Sequence, residues 1–291
     1  MLERLLGIIV PVFAVVALGW FWGRRAQPDM SVVNRLSINV LAPALIFSAL
    51  SSKSFDLWEN RLLIAGSVGI VLGSGLLAWP FARLLRTDHR TFVPPMMFNN
   101  CGNLGLPLAV LAFGEAGLTA MVALFTISNL LHFTLGVWMI DHHAKFGNLL
   151  RNPMVWSTVA GFAFAVVHPP MPEVAAVTLK LVGDAMIPLM LLSLGVRMTA
   201  IRWGDAQIGV IGGLVCPLTG LACAGLLAPL LGLDRMQTGL LFLFGCLPPA
   251  VLNFMVAEQY RQEPGKVASI VLIGNAMAVI FVPVGLAIAL H

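Results

Sequence analysis

Phe98-Asn99-Asn100-Cys101-Gly102-Asn103-Leu104-Gly105-Leu106-Pro107 is the stretch on which the fold turns. Three amides, two glycines and a proline fall within ten residues, and apolar runs flank them on both sides. A lipid-facing helix cannot carry such a knot. Unwound backbone at membrane depth is tolerated only where protein buries it or a cavity adjoins it. Asparagine brings both donors and acceptors to such a cavity. Dense uncharged polar groups are costly in a bilayer unless they are used. Asn99, Asn100, Asn103 and Pro107 are therefore candidate substrate contacts.

The rest of the chain makes the membrane setting plain. Of 291 residues, 59% are hydrophobic and 10% charged, with a mean hydropathy of +0.92, more apolar surface than a soluble core of this size hides. Apolar runs predict ten spans, at roughly 5–23, 31–50, 61–85, 91–113, 116–140, 153–168, 173–196, 205–231, 236–257 and 265–290. The fold class is all-α integral membrane. The first run reads as a retained span, since no small-residue cleavage site precedes Arg24 and Arg25.

Eleven Lys and Arg residues lie in the odd-numbered gaps: Arg24, Arg25, Arg83, Arg86, Arg90, Lys145, Arg151, Arg197, Arg202, Arg261 and Lys266. Arg4, Lys53, Arg61 and Arg235 lie on the other side. The asymmetry predicts that both termini sit outside the cytoplasm. It also accounts for the net charge of +4, which is then no sign of nucleic acid. Cys101, Cys216, Cys223 and Cys246 show no ligand spacing and read as small packing residues, so no metal is expected.

Ten spans divide into residues 1–145 and 146–291, two five-helix units. Because five is odd, the units insert with opposite orientations, as inverted repeats. A shift of 145 positions lays Arg35 on Lys180, Asn39 on Asp184, Pro43 on Pro188 and Ser48 on Ser193. A shift of 146 lays Pro107 on Asn253 and Asn129 on Asn275. Pro43 and Pro188 should kink or break their helices, as packing features or as parts of a site. The ninth span repeats the interruption of the fourth at Gly245-Cys246-Leu247-Pro248-Pro249, followed by Asn253. Two broken helices facing each other place helix N-termini, with their free N–H groups, near the midplane, which suits a carboxylate.

Pro248, Pro249 and Asn253 join the candidate contacts. Asn129 and Asn275 either complete the polar lining or act as hydrogen-bonding glue between helices. No Lys or Arg lies well inside the fourth, fifth, ninth or tenth span, so an anion there is expected to be held by amides and helix ends. Asp184 follows Lys180 by one turn and is either an ion-pair partner or a proton carrier. His132, on the face of Asn129, is either a packed hydrogen-bonding residue or a pH-responsive one. Glu258 sits near a span end, at the interface or beside a coupling cation.

Asn99-Asn100-Cys101-Gly102-Asn103-Leu104-Gly105-Leu106-Pro107-Leu108, with Phe113-Gly114 and Gly117-Leu118, resembles the fourth-span signature of the auxin efflux carrier family. Leu41-Ala42-Pro43-Ala44-Leu45-Ile46-Phe47, Ile187-Pro188 with Ser193-Leu194-Gly195, and Pro248-Pro249 through Tyr260 extend the resemblance over the whole chain. It implies the fold of bile-acid sodium symporters, with crossover helices in the fourth and ninth spans. It further implies a scaffold of spans 1, 2, 6 and 7, a mobile domain of spans 3–5 and 8–10, and a homodimer through the scaffold. About ten residues separate the halves, so the chain looks like a compact bacterial-type member of the inner membrane rather than a plant auxin carrier.

The resulting expectation is a secondary carrier for a small organic anion, malonate-, malate- or auxin-like, working by an elevator form of alternating access. It needs no cofactor, and protons or sodium are the candidate coupling ions. Alternatives are a sodium-coupled symporter of the bile-acid type and a membrane sensor on the same fold. An enzyme is disfavoured, because no acid–base or metal-ligand pair has usable spacing, and no Walker-type loop is present to supply ATP drive.

Overall fold

The computed structural model describes residues 2–52, 55–142, 152–167, 169–200 and 205–290. Lys53, Lys145, Arg151, Arg202 and the boundary between residues 145 and 146 lie outside the described residues. The described residues are helices and their connections, joined at one point by an isolated backbone bridge between Asn99 and Pro249. Among the described residues, seven helical segments are long and apolar enough to cross a membrane. At ~1.5 Å per residue, a helix of about 25 residues exceeds the roughly 30 Å hydrocarbon core.

Helix α1 (Leu2–Ala26) is followed by a segment built from α2 (Ser31–Leu36), a π-helical stretch at Ser37–Leu41 and α3 (Ala42–Leu50). The widened π turn directly precedes Pro43, which falls in the first turn of α3, where its missing N–H is least disruptive. Helix α4 (Leu57–Leu84) is capped by Asp56, whose carboxylate accepts from the backbone N–H groups of Trp58 and Glu59. Helix α5 (His89–Met97) contains Pro94 and Pro95 and ends at the first interruption. The chain resumes through a π-helical stretch at Cys101–Gly105 into α6 (Leu106–Leu131). Gly114 (φ 70°, ψ −160°) turns the backbone out of helix within α6, a conformation that only glycine adopts readily. A π-helical stretch at His132–Gly136 leads into α7 (Val137–Ile140).

The second half of the chain has matching pieces. Helix α8 (Pro153–Val167) is short and apolar, and α9 (Glu173–Asp184) and α10 (Met186–Met198) meet at Ala185. Pro188 excludes the carbonyl four residues back, that of Asp184, so the interruption falls where proline chemistry places it. Helix α11 (Ala206–Leu231) ends on left-handed Gly232, and α12 (Arg235–Gly245) starts from a capping box of Asp234 and Gln237. After the second interruption come α13 (Val251–Gln259) and α14 (Pro264–Ala289).

Helix α1 packs along α10, and α11 packs along both α4 and α14. The core is apolar, with Phe92, Phe98, Phe244 and Leu104 fully enclosed. The outside is apolar as well: Leu76 is 77% exposed, Leu84 80% and Val174 79%, which water would penalise and lipid does not.

Candidate functional site

The two interruptions meet. Asn100 N donates to Pro248 O at 2.7 Å, and Ala250 N donates to Phe98 O at 2.9 Å. These bonds satisfy backbone groups that a broken helix would otherwise leave unpaired in a place without water. Neither Pro248 nor Pro249 has an N–H to leave orphaned, and both carbonyls accept: Pro248 O from Asn100 N, Pro249 O from Asn275 Nδ2 at 2.9 Å.

Side-chain amides complete the clasp. Asn99 Nδ2 donates to Phe244 O at 2.6 Å, and Asn253 Nδ2 donates to Phe98 O at 2.9 Å and Ala250 O at 3.0 Å. Asn100 Nδ2 donates to Asn275 Oδ1 at 2.6 Å, while Asn275 Nδ2 also reaches Val271 O at 2.7 Å. Asn275 is thus the interhelical glue of its two readings.

A cavity of about 140 Å³ lies beside this clasp. The first interruption, Asn99 to Asn103, forms one part of its wall, continued by Ala250, Val251 and Leu252 just past the second. Ser128, Asn129 and Phe125 add to it from α6. Asn34, Ser37 and Ala42 line it from the segment running from α2 to α3. From α10 come Met186, Met190, Ser193 and Arg197, whose spacing of three to four residues puts them on one helix face. Among the described residues the Asn103 amide has no hydrogen-bond partner, and the buried Asn99 Oδ1 and Ser193 Oγ have none either. Of these, the Asn103 amide is the accessible one, on the cavity wall.

Arg197 corrects a sequence expectation. Where only amides and helix ends were expected, a guanidinium stands in the cavity wall, with Nη2 donating to Asn34 Oδ1 at 2.8 Å. Read as a charge in the gap after the seventh span, Arg197 instead lies within α10, which continues to Met198 and turns it onto the face of Ser193. The same residue borders a second cavity of about 440 Å³, together with Asp205 and Glu258.

A family model described as membrane transport protein matches residues 5–148 and 145–286. The chain belongs to the auxin efflux carrier family. It is 25% identical over 292 residues to an uncharacterized transporter of Methanothermobacter thermautotrophicus, covering 94% of this chain and 95% of that one. It is 24% identical over 311 residues to a putative malonate transporter of Rhizobium meliloti, covering 96% and 93%. With the uncharacterized transporter YfdV of Escherichia coli it shares 22% over 290 residues, 90% of each.

In this auxin efflux carrier family member the other candidate residues are spread around the cavity rather than gathered in it. Asn129 lines it, whereas Pro107, Pro248, Pro249, Asn253 and Asn275 stand off its wall and build the clasp or the helix start behind it. His132 is 2% exposed and off the wall, its ring stacked on Phe98 with centroids 4.2 Å apart and planes 4° from parallel. Its Nε2 has no partner among the described residues, so the ring is a stacked buttress behind the first interruption and not a hydrogen-bonding one at that atom.

Asp184 is likewise away from the cavity, paired with Lys180 at 3.2 Å. Lys180 also reaches both carboxylate oxygens of Glu115, at 3.1 Å each, directly after the Gly114 turn. Glu258 is exposed at the second cavity and does not approach the clasp. Pro43 and Pro188 sit one position from Ala42 and two from Met186, both of which line the cavity, so the kinks shape its wall without touching its contents.

Proposed function

We propose that the chain is a secondary carrier that moves a small organic anion across the bilayer by alternating access of elevator type. The fold in this reading has ten spans in two inverted five-helix halves, with the fourth and ninth crossing at the clasp. The scaffold carries Asn34 and Arg197, and the mobile domain carries Asn99 to Asn103 and Asn129. The single observation that supports this best is the cavity at the meeting of two interrupted helices, lined by the unpartnered Asn103 amide and one guanidinium. Such a site favours a carboxylate, because the amide donates hydrogen bonds and the guanidinium pairs with its charge.

The relative named as a putative malonate transporter supports a short acid. The setting proposed is the bacterial inner membrane, with both termini outside the cytoplasm and a homodimer formed through the scaffold. Coupling runs through protons or sodium. With His132, Asp184 and Glu258 all standing off the cavity, the coupling residues are not assigned. Uptake of a panel of labelled short acids into proteoliposomes, under separately imposed pH and sodium gradients, tests the reading. Accumulation of at least one acid, driven by one of the gradients, is the expected result. A well-folded protein that accumulates none of them contradicts it.

A further inference from the structure

Inside a wall otherwise made of uncharged groups, among them amides, hydroxyls, methionines and the rings of Phe125 and Phe133, Arg197 is a fixed positive charge. Its side chain is half-buried, and its one polar contact among the described residues is the neutral Asn34 amide. An oxygen acceptor at 2.8 Å orients one arm of the guanidinium while leaving its charge uncompensated. One turn earlier on the same face, Ser193, a cavity-lining residue that is 2% exposed, has a hydroxyl without a partner among the described residues. A cation and a free donor side by side, with a planar fork suited to a carboxylate, make an anion-binding position.

The position is separate from the interrupted helix. Asn99, Asn100 and Asn103 belong to the stretch between α5 and α6, whereas Arg197 and Ser193 belong to α10 and Asn34 to α2. The amide end is neutral and the α10 end is charged. The cavity of about 140 Å³ is lined by both.

We propose that Arg197, oriented by Asn34, is the residue that sets the charge preference of the site: it holds a second anionic group, so the cavity selects short acids with two carboxylates over acids of the same length with one. The inference rests on the carrier reading above. Arg197 in a purely structural role would cap the C-terminal turn of α10, where a cation is favoured by the helix dipole, and tie it to α2. That role predicts a stability change on substitution and no change in the ratio between acids.

The experiment measures binding of malonate and of propionate to the purified full chain in detergent, by calorimetry, for wild type, Arg197→Gln and Asn34→Ala. Thermal unfolding of each ligand-free protein is recorded alongside. Wild type is expected to prefer malonate. Arg197→Gln is expected to lose at least about tenfold in malonate affinity, on the scale of one charge-assisted contact, with propionate altered less than about threefold. Asn34→Ala, which keeps the charge and loses its orientation, is expected to fall between the two, and it decides the matter should Arg197→Gln fail to fold. Equal weakening of both acids, or an unchanged malonate-to-propionate ratio in a folded variant, overturns this inference and leaves the carrier reading standing. Wild type that binds neither of these acids overturns this inference, and if it also takes up no acid of the wider panel the carrier reading falls with it.

Discussion

Between Phe98 and Asn103 the first interruption carries three asparagines, while between Gly245 and Ala250 the second carries none and has two adjacent prolines. The shift that lays Asn129 on Asn275 places Cys246 where the first half has Asn100, and Pro249 where it has Asn103. The surroundings differ in the same sense. The first interruption borders the cavity along its length. The second is pressed against α11: a Cβ on Gly220 would lie 2.1 Å from Gly245 O, and one on Gly245 would lie 2.6 Å from Gly220 O. Two interruptions at comparable places in the two halves therefore divide the work. One presents side-chain amides to the cavity, and the other supplies carbonyls and close backbone packing that hold the first in place.

The largest effect should come from breaking the anchored side. Gly220→Val places branched carbon against the Gly245 backbone, which cannot retreat, and should abolish recovery of monodisperse protein on size exclusion. On the cavity side, Gly102→Ala meets the ring edge of Phe125 at 2.8 Å, and a ring can shift. That variant should purify normally. Comparable loss in both would erase the distinction between the two interruptions.

Next in size is the clasp itself. Asn275→Ala strands Asn100 Nδ2 and Pro249 O in buried positions, each costing on the order of 1–3 kcal/mol. Asn253→Ala removes the amide donated to Phe98 O and Ala250 O, but Phe98 O still accepts from Ala250 N, so the cost should be lower, about 1 kcal/mol. Denaturant titration in detergent checks both, and wild-type stability in Asn275→Ala would mean that the clasp carries no load.

Smallest is the tie between the start of α5 and the start of α14. Thr91 Oγ1 donates to Glu263 Oε2 at 2.6 Å, and Lys266 pairs with the same carboxylate. The Lys266 ammonium and then the Thr91 hydroxyl hold the Glu263 carboxyl below its ordinary range. A lowered value in the folded state means stability present above the ordinary carboxylate range and lost as pH falls through the lowered one. Because the pair is more than a third exposed, solvent screens it, and Glu263→Gln should cost less than about 1 kcal/mol near neutral pH, the difference vanishing in acid. Melting temperature against pH for both proteins is the check.

Much of this architecture was legible in the sequence, because it follows from chemistry that acts locally. Proline cannot continue a hydrogen-bond ladder, and three amides with two glycines cannot face lipid, so both interruptions and the weak points near Pro43 and Pro188 could be placed beforehand. The gap between the apolar runs ending at 113 and starting at 116 was marked, but the glycine turn at Gly114 that makes it came only with the structure.

What stayed hidden depends on distant partners. Asn99, Asn100, Asn103 and Asn253 carry the same functional group, yet three of them are tied to Phe244, Asn275 and Phe98, between 145 and 175 residues away, and one is free. Nothing local to an asparagine tells which it will be. Arg197 was hidden for another reason: a cation at the end of a span satisfies the charge asymmetry and draws no further attention. The spacing Met186, Met190, Ser193, Arg197 was the available signal, a polar face appearing at the end of an apolar helix.

The central claim, that the first interruption binds while the second anchors, is tested most directly by one affinity measurement on Asn103→Ala with the acid that wild type binds. Asn103 lines the cavity and has no partner among the described residues, so its truncation should leave the melting temperature unchanged. Affinity should fall at least about tenfold, the loss expected for a ligand hydrogen bond left unmade in a desolvated site. Wild-type affinity in that variant, with the protein folded, would contradict the account.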